Sequence, residues 1–336
     1  MRVPRGITVP ARRSTRSAGP AATVWLVLAT VAALALALRL PVTTTVLGLA
    51  VFGVLHNVLE LRYVVGRFDA VLRGPFLMLL GVLITGVLVC RLLPVGAVTR
   101  GVEIGLCYVV LGAACVRALR GAWLALALLI VAVAAAVSLT FPAYHFVVLT
   151  HLHNVVPLFF LWEWSRTMAP GVRRGFRAAN LTWVVGVPAL ILAGVFDPLL
   201  RSASASFAGL GGVAAFEPAK LAATYAPPAL AADLGLRFLA VFAFMQTMHY
   251  VVWVGVLPRY APDVSARFDA RIPALRGGRA WLLGGGLALV LGVVFALDYA
   301  QGKTLYAAGA SYHAYLEFPV LLALLLSYRR TTQGAA

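Results

Sequence analysis

Run after run of about twenty residues in this chain carries almost no charge, and that pattern restricts its fold more than anything else. Backbone polar groups inside a bilayer must be satisfied within their own segment, so apolar runs of this length fold as membrane-crossing helices. Such runs fall at roughly 21–38, 43–65, 75–93, 102–119, 122–140, 143–165, 179–197, 235–257, 281–298 and 310–328. The expected fold is therefore all-α: about ten transmembrane helices in one bundle. Composition agrees, with 62% hydrophobic and 12% charged residues among 336 and a mean hydropathy of +0.93. A soluble domain sits near half apolar and a quarter charged.

A net charge of +17 would suit nucleic-acid binding if the cations formed a patch on a soluble domain. Instead they fall in the gaps between apolar runs, so a nucleic-acid partner is not expected. With a cytoplasmic N-terminus, the inner gaps hold 21 of the 28 lysines and arginines and the outer gaps 7. That bias predicts both termini on the cytoplasmic side. Residues 1–20 read as a basic tail carrying Arg2, Arg5, Arg12, Arg13 and Arg16, followed by an uncleaved first helix rather than a removed signal. Residues 21–330 read as one polytopic domain, with 198–236 as an outer loop, interfacial segment or lid. A prokaryotic plasma membrane is the expected location. Cys90, Cys107 and Cys115 form no CxxC pair and read as small core residues.

The functional signal is the placement of histidine. All six lie in or at the ends of apolar runs: His56, His145, His151, His153, His249 and His313. Two phrases near opposite ends repeat one pattern, His56-Asn57-Val58-Leu59-Glu60 and His313-Ala314-Tyr315-Leu316-Glu317. At that spacing the histidine and glutamate share a helix face, one turn apart. An ionisable group at the helix centre costs about 2.5–3.5 kcal/mol on an insertion scale, which marks such groups as functional. His56, His153 or His151, His249 and His313 fall on the second, sixth, eighth and tenth predicted helices, which all run the same way. Histidines from several helices meeting in a bundle core suit a metal ion, with a carboxylate orienting each imidazole. His313 is expected nearer the outer end than His56, His153 and His249.

His151 and His153 project about 200° apart around a helix, so one alone faces a shared site unless the helix is distorted near Pro157. His153 is preferred because it repeats the His-Asn pair of the second helix. His145 reads as an interfacial residue. Glu317 lacks a basic neighbour on its own helix and reads as a catalytic or imidazole-orienting carboxylate. Glu60 reads either so or as a partner of Arg62 or Arg67. Gln246, three residues before His249, is expected to hold a substrate, a water or the imidazole. Glu163 between two tryptophans reads as structural.

Spacing separates the candidate chemistries. Membrane desaturases carry HxxxH and HxxHH clusters, which this chain lacks. A mononuclear non-haem iron held by four histidines fits, with an apolar cavity for a lipophilic substrate. Haem or copper, and a proton-coupled carrier using the histidines and glutamates as a relay, are the alternatives. Phe52 through Glu60 resembles the early G-x-x-H-G-x-x-D phrase of the Brp/Blh-type membrane β-carotene dioxygenases, through Gly53 and His56. Asn57 replaces that phrase's second glycine and Glu60 its aspartate. The resemblance implies an iron-dependent oxygenase, with His56, His153, His249 and His313 as ligands and a polyene or other long hydrophobic molecule as substrate. Membrane lipids are the other expected partners.

Overall fold

Apolar runs bounded by prolines and short basic gaps dictate the element boundaries. A computed structural model describes residues 15–206, 218–228, 230 and 232–333, and every regular element among them is helical. In chain order these are α1 (Thr15–Arg39), α2 (Pro41–Arg67), α3 (Gly74–Leu92), α4 (Ala97–Ala118), α5 (Gly121–Thr140), α6 (Pro142–Val155), α7 (Pro157–Trp164) and α8 (Pro170–Leu181). They continue with α9 (Val187–Leu192), α10 (Asp197–Ser206), α11 (Pro218–Tyr225), α12 (Ala232–Tyr250), α13 (Leu257–Tyr260), α14 (Pro262–Arg271), α15 (Arg279–Leu297) and α16 (Tyr299–Gln333). Prolines open α2, α3, α6, α7, α8, α13 and α14 in the first turn, where the missing N–H is one that no helix would satisfy.

Three breaks inside the apolar runs have prolines behind them. Pro157 cannot donate to the carbonyl of His153, and α6 gives way to α7 there. Pro188 and Pro258 each lie two residues beyond a widened π-helical turn, Thr182–Gly186 and Val251–Val256. A wider turn accommodates a proline that can neither bond to the carbonyl four residues back nor avoid its bulk.

Among the described residues nine helices are long and apolar enough to cross a membrane, against ten expected. They match the first nine predicted runs. The tenth run does fold as helix, within α16. It carries Tyr312, His313, Tyr315 and Glu317 among its apolar residues.

The bundle has a clear centre. In the span Asp233–Tyr260, formed by α12 and its continuation, 78% of the most apolar window is buried, against 6% for Gly121–Thr140. The latter, α5, is a peripheral helix. Outward faces stay apolar: Leu28, Met78, Val82, Leu282 and Leu289 are all more than half exposed. Contiguous apolar exposure on that scale suits lipid, not water.

Between such faces association depends on close packing rather than on burial from water. Gly284 of α15 rests on Leu55 and Val58 of α2. At the far end of α2, α14 caps the bundle through Arg62–Asp269 at 2.7 Å and Arg267 Nε to the Gly66 carbonyl at 3.0 Å. Arg67 pairs with Glu163. Both arginines considered for Glu60 are therefore taken by other acids. Of the 198–236 segment, residues 207–217, 229 and 231 lie outside the described residues, as do the basic tail's Arg2, Arg5, Arg12 and Arg13. Its described part includes α11, which packs against α12, Tyr225 stacking on Phe242 with centroids 3.7 Å apart.

Candidate metal centre

Four helices bring one histidine each to a single point: His56 from α2, His153 from α6, His249 from α12 and His313 from α16. One nitrogen from each lies within 4.8 Å of the corresponding nitrogen of every other. Ring centroids form a closed square, His56–His249 5.1 Å, His249–His153 4.6 Å, His153–His313 4.8 Å and His313–His56 5.0 Å. His56, His249 and His313 are buried, and His153 is partly open where it borders a cavity. His313 stands level with the other three. Its expected position nearer the outer end is corrected, because α16 begins at Tyr299 and reaches His313 only after more than three turns.

Hydrogen bonds turn two of the rings. His56 donates from Nδ1 to the Phe52 carbonyl at 3.0 Å, one turn back on its own helix, which leaves Nε2 for the centre. His153 donates from Nδ1 to Glu317 Oε2 at 2.9 Å, and its Nε2 stands 3.0 Å from Nε2 of His313. Two nitrogen ligands about 2.1 Å from one ion, at right angles, are about 3 Å apart. Ligands directly opposite are about 4.2 Å apart, so the widest separation here closes with roughly half an ångström of side-chain movement. Neutral imidazole suits iron, copper, zinc or nickel, and a carboxylate on the remote nitrogen fixes the tautomer that ligation needs. Four rings meeting edge to face or tilted, with neighbouring centroids 4.6–5.1 Å apart, suit a single ion better than a porphyrin, which needs an open slot between two of them.

Glu60 is fully buried in the same place, not in the basic boundary. Its Oε2 lies 3.6 Å from His249 Nε2, it faces the carboxylate of Glu317, and neither of its oxygens accepts a hydrogen bond from a nitrogen or hydroxyl. Both nitrogens of His249 are also without a hydrogen-bond partner. Buried polar atoms are nearly always satisfied. Open polar atoms around a cluster of four histidines form a donor set that an ion would complete.

His151 points elsewhere. Its Nε2 donates to the Tyr225 carbonyl at 2.8 Å and its ring lies against Phe238 and Phe242, as the two-residue offset from His153 requires. His145 sits among Tyr108 and Phe146, away from the cluster. Gln246 is buried and donates to the Tyr250 hydroxyl at 2.6 Å. Tyr250 in turn packs on His56 at 4.6 Å. The glutamine thus borders the site through a tyrosine instead of touching an imidazole.

A cavity of about 190 Å³ opens beside the histidines. Several residues lining it escaped attention in the sequence: Arg91, Tyr225, Lys303 and Tyr306. The two cations read there as topology signals of the outer gaps, and nothing in the sequence set them apart. Burial, and next the neighbouring phenols of Tyr299 and Tyr250, push the Tyr225 hydroxyl well above its ordinary pKa, so it forms a neutral wall. Gly53 allows Tyr306 its place, since a Cβ at that position would meet the ring at 2.8 Å. Comparison with known protein families, curated proteins and solved structures gives no match, and the centre is read from its own geometry.

Proposed function

We propose that this chain is a membrane-embedded oxygenase that holds one non-haem iron on His56, His153, His249 and His313 and acts on a lipophilic substrate. The observation that carries the reading is the convergence of four buried imidazoles and two buried carboxylates beside a cavity. Iron held by neutral imidazoles supplies dioxygen chemistry when bound. The chain's own part is to orient His153 through Glu317, to balance a dication with Glu60 and Glu317, and to keep water out with Tyr225, Tyr250 and Tyr306. The resemblance of the His56 phrase to the Brp/Blh-type dioxygenases points the same way.

The reading includes ten crossings with both termini cytoplasmic in a cell membrane. His56 lies beside His313 and Glu60 faces Glu317, so α2 and α16 run in the same direction. Seven of the nine apolar spans follow α2, an odd number, which brings α16 back across in the sense of α2.

Purified protein is expected to carry close to one iron per chain, and His56→Ala or His249→Ala to remove it while the apolar packing keeps the chain folded. Elemental analysis with an absorption spectrum measures both. Metal-free protein that is folded and oxidises substrate would sink the proposal. A Soret band would move the assignment to haem. The buried carboxylates Glu60 and Glu317 favour one second reading, a proton-coupled carrier. Uptake driven by a pH gradient and abolished by Glu317→Gln would decide for it.

A further inference from the structure

The cavity beside the four histidines has a charge left over. Arg91 borders it but is already matched, with Nε on Glu103 at 2.7 Å and one terminal nitrogen on the Ala307 carbonyl at 2.6 Å. At the histidine cluster the carboxylates of Glu60 and Glu317 would balance the dication of the oxygenase reading. Lys303 is the remaining cation on the wall. It is half-buried, with Nζ 5.5 Å from the centre of the Tyr225 ring, and no described carboxylate forms an ion pair with it. An ammonium withdrawn from water and matched only by an aromatic face gains substantially from an anion.

Lys303 also stands on the same helix as a metal-binding candidate. Between Lys303 and His313 the cavity face of α16 is Tyr306, Ala307 and Ala310, and Ala314 follows. Ten residues of helix place the two ends about 15 Å apart. Small side chains between them leave a path for an extended chain.

We propose that the cavity takes an amphiphile with an anionic head, the head paired with Lys303 and the hydrocarbon chain running along the alanines of α16 to the histidines. This rests on the oxygenase reading for what happens at the far end, and it narrows the substrate from any lipophilic molecule to a long-chain carboxylate or phosphate. Lys303 is then a specificity-determining residue.

The test uses the full chain in detergent micelles, loaded with iron, and three fluorescent polyene probes with one chain: the carboxylic acid, its methyl ester and the phosphate monoester of the matching alcohol. The acid is expected to bind about tenfold or more tighter than the ester. Lys303→Met should bring the two within about twofold, and Lys303→Arg should keep the preference. Iron content, read on every sample, should stay unchanged. A phosphate ester that binds tightest identifies the head as phosphate, and an acid that binds tightest identifies it as carboxylate. Equal binding of acid and ester to the wild-type chain overturns the proposal, as does a preference that survives Lys303→Met. If Lys303→Met does not fold, the wild-type comparison and Lys303→Arg still decide. Protein that takes up no iron yet prefers the acid would overturn the metal reading and leave this one standing; protein that takes up one iron per chain without the preference would do the reverse.

Discussion

The two His-x-x-x-Glu phrases are nearly the same sequence in different surroundings. On α16, Glu317 accepts a hydrogen bond from His153, a residue of another helix, and so acts across the bundle. On α2, Glu60 makes no hydrogen bond to an imidazole; it faces Glu317 and lies 3.6 Å from His249. Neither glutamate serves the histidine of its own phrase. The spacing sets both on one helix face a turn apart, and in each phrase the groups turn to other partners instead of to each other. It puts a layer of histidines over a layer of carboxylates instead. A helix motif in a bundle is best read through its neighbours, and here the neighbours are α6 and α12.

The comparison predicts unequal consequences for the two acids. Glu317→Gln keeps the shape but weakens the acceptor that holds the His153 tautomer, and supporting carboxylates of this kind are worth about 10–100-fold in metal affinity. Glu60→Gln is expected to cost less than about tenfold, since no imidazole depends on a hydrogen bond to it. Competition with a chelator of known affinity measures both. Equal losses would mean that Glu60 binds or orients as directly as Glu317 does, and the two phrases would then be functionally equivalent.

Stability without metal sharpens the same contrast with a smaller effect of opposite sign. Replacing a buried polar group that has no partner by an apolar one of similar volume is often neutral or stabilising, while removing one member of a buried pair is destabilising. Glu60→Met should therefore raise the apo melting temperature or leave it unchanged. Glu317→Met, which strands His153 Nδ1, should lower it, by about 1–3 kcal/mol of stability. Thermal unfolding of the metal-free chain in detergent tests this, and a loss of stability for Glu60→Met would show that the carboxylate already has a partner without the ion.

Much of this arrangement was legible from residue types because the bilayer makes each polar group costly. Apolar runs mark the spans, and histidines within them mark the centre. The His-Asn repeat pointed to His153 over His151, and the structure places His153 in the cluster and His151 against Phe238 and Phe242. What stayed hidden depends on relations between helices. Glu60 looked equally suited to Arg62 until α14 supplied Asp269, a partner 207 residues away. Lys303 and Arg91 counted toward topology, and nothing local showed that one was matched by Glu103 and the other by no described acid. Depth along α16 was misjudged because the helix starts well before its apolar part, at Tyr299.

The smallest predicted effect concerns the residue three positions before each phrase's histidine, Gly53 on α2 and Ala310 on α16. Both positions face the centre's surroundings, yet they differ in room. A Cβ at Gly53 would stand 2.8 Å from the Tyr306 ring, whereas Ala310 already carries a methyl beside the cavity. Gly53→Ala gains helix propensity, worth about 1 kcal/mol, and loses it again to overpacking of about 1–3 kcal/mol. The tyrosine ring must shift, and it lines the cavity. The substitution should therefore change stability little and reduce substrate-probe binding more than iron content. Ala310→Gly should lose about 1 kcal/mol of stability and leave probe binding intact. If Gly53→Ala instead removes iron with binding unaffected, the α2 phrase holds the metal more directly than its counterpart on α16, and the layered reading of the two phrases fails.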